Sequence, residues 1–207
     1  MSALIRFAIM STISAVLAAC VSFGPQELQR YYVLDVPAAS SSAPASSTPA
    51  APRASTLLIA PTTVSSFYET QEIVYSRTPG TRAYYQRHAW TERPGQRMTE
   101  LLVRRLNRAG SFRAVAIVGG GVRGDVVLAT HLSEFYHDAA STPGSVKVST
   151  TSELMDRARR VVLARRTFVH TAPVATYDAP GAVLAFNSAM AVLLDEISAW
   201  VEAVAPR

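Results

Sequence analysis

Two spacings of apolar residues alternate along the chain. Short β-branched and aromatic runs read as strands: RYYVLDV (residues 30–36), TLLIAP (56–61, stopped by proline), QEIVYSR (71–77) and TRAYYQRHAW (81–90). The last two are joined through Thr78-Pro79-Gly80, which predicts a hairpin. The spacing then lengthens to three and four. Met98, Leu101, Leu102 and Leu106 form one stripe, with Gln96, Arg97, Arg104 and Arg108 on the other side, Pro94 in the first turn and Gly110 at the stop. Strand spacing returns at 111–118, at 125–138 after the GGGVRG turn, at 145–155 and at 159–171. A second helix is predicted over 179–204, with Val183, Phe186, Met190, Leu193, Ile197 and Val201 along one face and Ala182, Ala185 and Ala189 as a small-residue flank. The order of strands, helix, strands, helix predicts the α+β class: a mixed, largely antiparallel sheet with two main helices packed against it.

One stretch has neither spacing. Residues 37–55 are Ala, Ser, Pro and Thr apart from Arg53, a composition that buries little apolar surface and reads as a flexible insert. The expected organisation is a signal peptide over 1–19, a lipidated N-terminus and first strand over 20–36, the insert over 37–55, and a main domain over 56–207 that takes in 30–36.

Composition narrows the chemistry. The 207 residues are 49% hydrophobic and 17% charged, ordinary for a globular domain. The net charge of +5 comes almost wholly from arginine, since Lys147 is the only lysine, and the arginines are scattered, so no nucleic-acid-binding tail is indicated. Cys20 is the single cysteine, which excludes an internal disulfide or a cysteine-built zinc site.

Cys20 instead ends a tripartite leader: Arg6 near the start, an apolar stretch from Phe7 to Leu17, then Leu17-Ala18-Ala19-Cys20. This resembles a bacterial lipobox, which implies cleavage between Ala19 and Cys20 and acyl chains, palmitate among them, on the cysteine. Several chains anchor firmly, at about 0.8 kcal/mol per buried methylene. The competing reading, an uncleaved membrane anchor, has seventeen uncharged residues from Phe7 to Phe23, weakened by Ser11, Thr12 and Ser14. Val21 after the cysteine, where an aspartate would stand for inner-membrane retention, points to the outer membrane.

Catalytic motifs fail on context. Gly119, Gly121 and Gly124 spell G-x-G-x-x-G, but a β-type run follows where a dinucleotide fingerprint needs a helix, so these glycines read as a hairpin turn or loop. His131 and His137 are placed on one strand face about 20 Å apart, too far to share a metal. No nucleophile motif accompanies any serine or histidine, and Asp195-Glu196 reads as a solvated helix face. No catalytic or metal residue is assigned, and no cofactor beyond the acyl chains on Cys20.

The lipobox, YYVL, IAP, FYETQEIVYSR, HAWTERP and FNSAMAVLLDEISAW together resemble the auxiliary lipoproteins of ABC-type transport systems, the PqiC-like group. The residues carrying the resemblance include Tyr31, Tyr32, Trp90, Glu92 and Pro94, and the Ala/Ser/Pro insert is a departure from it. The resemblance implies a non-enzymatic periplasmic lipoprotein at the outer membrane, partnered by ABC transporter components and an MCE-domain protein that moves lipid, with a homo-oligomer left open. The alternatives are an outer-membrane assembly or envelope-scaffold lipoprotein, and a lipid-tethered hydrolase. Trp90 has two readings, helix packing (favoured) or a partner anchor, and of Tyr31 and Tyr32 one is expected to point inward and the other outward.

Overall fold

The computed structural model describes residues 28–36 and 53–206. The leader with Ala19 and Cys20 and most of the insert lie outside the described residues. The elements are β1 (Arg30–Tyr32), β2 (Arg53–Ile59), β3 (Thr63–Val64), a 3-10 turn (Ser66–Tyr68), β4 (Glu72–Ser76), β5 (Ala83–Trp90), α1 (Pro94–Ala109), β6 (Phe112–Ile117), β7 (Val126–Asp138), β8 (Ser145–Asp156), β9 (Val161–Pro173) and α2 (Ala179–Val204).

β7 is the spine of a nine-stranded sheet. Along one edge it pairs antiparallel with β8 over its whole length, and β8 pairs in turn with β9. Along the other edge three shorter strands follow one another, all parallel to it: β2 at Val126–Leu128, β3 at His131 and Leu132, and β4 at His137 and Asp138. β6 lies parallel outside β2; β5 lies antiparallel outside β4 and carries β1 in parallel. The sheet is mixed, with antiparallel pairing confined to the predicted β4–β5 hairpin and the β7–β8–β9 meander.

Three expectations change. β6 and β7 do not form a hairpin, because β2 lies between them and residues 118–125 cross over it. The crossing is close: a Cβ on Gly124 would stand 2.3 Å from the Leu58 side chain, and Asp125 takes the Thr56 N–H on its carboxylate at 2.7 Å. The run at 30–36 pairs only as far as Tyr32, yet Leu34 and Val36 are buried, with Arg97 of α1 donating to the Leu34 carbonyl at 3.1 Å. The insert gives way to strand at Arg53 rather than Thr56. The Arg53 guanidinium donates to the carbonyls of Glu202 and Ala205 at the end of α2, where a cation suits the helix dipole.

Both helices fall where the spacing places them. In α1, Pro94 opens the helix and Gly110 ends it in the left-handed region at φ 68. Asp178 caps α2 by accepting the Gly181 N–H at 2.8 Å. α2 is long and apolar enough to span a membrane by composition, but 56% of its most apolar stretch is buried within the fold. Its predicted face packs over β8 and β9, while Leu184 and Val192 remain exposed.

Candidate functional site

The residues carrying the family resemblance gather where β1, β5 and α1 meet, and the fold assigns them different tasks. Trp90 is buried, with Phe135 and Phe186 at ring centroid distances of 5.8 and 5.6 Å. It therefore packs the sheet against α2 and offers no surface to a partner. Pro94 is buried at the start of α1, and Glu92 lies half-buried in the link from β5. The adjacent tyrosines separate as alternation requires: Tyr31 is 61% exposed, while the Tyr32 hydroxyl turns in to His88 Nδ1 at 3.0 Å.

Tyr32 begins a row of rings. Tyr32 to His88, His88 to Tyr85, Tyr85 to His137 and His137 to Tyr177 stand 5.7, 6.4, 6.2 and 6.1 Å apart between centroids. β5 contributes two of these rings, and Arg87 between them adopts φ 60, the left-handed region. At the centre, His137 is fully buried. Its Nε2 meets the Pro143 carbonyl at 2.8 Å, and a carbonyl only accepts, so Nε2 holds the proton. Nδ1 is then the acceptor for the Tyr85 hydroxyl at 2.7 Å. Burial pushes His137 below the ordinary histidine range, against the Pro143 hydrogen bond, and pushes Tyr85 up to about 12. Neutral, enclosed and bonded at both nitrogens, His137 has no free lone pair to offer a substrate.

His131 and His137 do not share a face, contrary to the sequence reading. β7 carries a bulge between Leu132 and Glu134, so His131 points out to Thr63 and Ser65 while His137 points in. Sequence reasoning missed Tyr85, His88, His137 and Tyr177 as a group, because an extra residue in a strand leaves no mark on composition. Among the described residues no group of three His, Cys, Asp or Glu is placed to hold a metal. Tyr177 brings one end of the row to the surface, while Tyr31, on the opposite side of β1 from Tyr32, and the nearby Val33 are exposed outside the row.

A crystal structure of a Xanthomonas campestris protein of the DUF330 family is similar to this chain at a TM-score of 0.74 and 22% identity, covering 84% of this chain and 95% of that one. A second crystal structure, of an uncharacterized protein, is similar at a TM-score of 0.65 and 14% identity, covering 84% and 99%. No curated protein matches. At these identities the two structures show the fold. The family model described as the ABC-type transport auxiliary lipoprotein component matches residues 32–198, from β1 through most of α2, and the chain belongs to that family.

Proposed function

We propose that the protein is a lipid-anchored periplasmic accessory subunit of an ABC/MCE-type envelope lipid transport system. Cys20 holds the domain at the outer membrane through its acyl chains, and the folded domain docks on the MCE-domain protein. Its part in transport is tethering and docking, without a catalytic step and without a cofactor beyond those chains. The observation that carries this reading is the extent of the family match: residues 32–198 take in nearly all of the described fold, so the auxiliary role attaches to the whole domain. The lipobox spelling of Leu17-Ala18-Ala19-Cys20 supports the anchor. The exposed Tyr177 at the end of the aromatic row supports docking there, and Tyr31 offers a second exposed ring on the other side of β1, since tyrosine is enriched where partners bind tightly.

The test is detergent extraction of the acylated protein from its native envelope, followed by mass spectrometry of what co-purifies. Recovery of an MCE-domain protein with ABC components is expected. Recovery of a β-barrel or cell-wall partner alone would replace the transport role with that of an envelope scaffold. A Cys20→Ala variant is expected to keep its fold and leave the membrane fraction; wild-type protein found soluble after fractionation would contradict the anchor.

A further inference from the structure

α1 and α2 cross beside a cleft whose wall is built from arginine. Arg105 pairs with Asp195 of α2 at 2.7 Å and reaches the Ala191 carbonyl at 3.5 Å, and its side chain is only 10% exposed. Next to that pair lies a cavity of 180 Å³, where Arg104, Arg105 and Arg108 meet Leu101, Leu194 and Asp35. A second hollow of 280 Å³ runs on past Arg105 and Arg108 along α2, where Asp195 and Glu202 put carboxylates on its wall, so the excess of positive charge lies in the first cavity.

Asp195 neutralises Arg105, but nothing among the described residues pairs with Arg104 or Arg108, and Asp35 is the one carboxylate on the first cavity's wall. Arg104 and Arg108 stand four residues apart, one above the other on the same face, where like charges repel. The carbonyls at the end of α1 favour Arg108, yet Arg104 lies a turn earlier, beyond most of that benefit. Among the described residues the helix thus holds two guanidinium groups with no ion-pair partner at the mouth of a hollow, beside a third fixed by its ion pair. Guanidinium groups in such an array match the oxygens of a phosphate, which accept two parallel N–H bonds from each fork.

We propose that the interhelical cleft binds a phosphate group, carried on a phospholipid headgroup or free, with Arg104 and Arg108 as its ligands and Arg105 as the fixed third cation. The site goes beyond the tethering role, and it stands whichever partner the domain docks on.

The test uses the full acylated chain in non-ionic detergent, titrated with phosphatidylglycerol, diacylglycerol or inorganic phosphate and read by native mass spectrometry. The variants are Arg104→Gln/Arg108→Gln, which breaks no hydrogen bond or ion pair among the described residues, and Arg123→Gln/Arg157→Gln, which removes the same charge elsewhere. Phosphatidylglycerol is expected to bind wild type and the Arg123/Arg157 variant alike and the Arg104/Arg108 variant at least tenfold more weakly. Inorganic phosphate displacing the lipid only at far higher concentration identifies a headgroup as the source; phosphate binding as tightly as the lipid, with the same loss in the variant, identifies the free anion. Equal binding by wild type and the Arg104/Arg108 variant, equal losses in both variants, or diacylglycerol bound as tightly as phosphatidylglycerol would each overturn the site.

Discussion

The two halves of β7 face opposite ways on one strand. Through Leu132 the even-numbered side chains point to the helices: Leu128, Thr130 and Leu132 lie opposite Leu154, Ser152 and Thr150 of β8. Beyond Ser133 the odd-numbered ones do, with Phe135 and His137 opposite Val148 and Val146. β8 keeps an unbroken alternation throughout, so the shift belongs to β7 alone. In the first half the outward histidine meets hydroxyls at the surface; in the second the inward one anchors the aromatic row. One inserted residue thus separates a plain structural strand from the half that centres the aromatic row, because the side-chain period of a strand is two.

Inserting one alanine between Glu134 and Phe135 attacks that difference directly, because it adds a residue where β7 and β8 now pair one to one. It would turn Phe135 and His137 outward or slide the β4 pairing, and a loss of about 5 kcal/mol or more, or no folded protein, is expected in urea denaturation. A loss near 1 kcal/mol would show that the strand takes up a further residue without turning these side chains over. Phe135→Ala empties the contact with Trp90 and Phe186 and is expected to cost about 3–5 kcal/mol, whereas Leu128→Ala in the other half should fall within about 2–5 kcal/mol.

The turn after β7 comes next in size. Gly144 adopts φ +84, and a Cβ there would stand 2.1 Å from the Asp138 carbonyl and 2.9 Å from His137 Nε2, so Gly144→Ala is expected to cost about 3 kcal/mol. Gly80→Ala meets open space and should lose only about 1 kcal/mol from its positive φ. Equal losses at the two glycines would remove steric fit from the explanation.

pH separates the halves more gently. Burial holds His137 below its ordinary 6.5, so on acidification the unfolded chain takes up the proton first. The stability tied to the neutral ring is complete above pH 6.5, declines as pH falls below it, and levels off beneath the folded value. The slope is at most about 1.4 kcal/mol per pH unit for one proton. His137→Gln should remove that slope in melting experiments, and an unchanged profile would discard the buried-neutral assignment. Asp178 acts lower: the Gly181 N–H and then the Thr176 hydroxyl depress its pKa, so its contribution is lost only as pH falls below 3.8. The smallest effect is expected from Tyr32→Phe, about 0.5–1.5 kcal/mol for the hydroxyl bonded to His88.

Much of this architecture was legible locally. The stripe from Met98 to Leu106, Pro94 at one end and Gly110 at the other located α1, and the Val183–Val201 face located α2, because helix spacing and termini depend on neighbours three and four residues away. The meander was legible for the same reason, its alternation being written along β8. The crossover at 118–125 was not, since a glycine-rich turn between two strands is equally compatible with a hairpin. Only the presence of β2 between β6 and β7 makes Gly124 a point of close approach to Leu58. Arg53 looked like the odd charge in a low-complexity stretch because its partners at the end of α2 are some 150 residues away.

The sequence by itself determined the class of fold, the place of both helices and the family resemblance, all of which rest on short-range pattern. The tertiary structure decided that Trp90 packs the core, that His137 and not His131 turns inward, and that Arg104, Arg105 and Arg108 border one cleft with Asp35 and Leu194. These depend on which surfaces the sheet and helices bring together, and a one-residue bulge or a strand interposed between two others changes that without altering the local pattern.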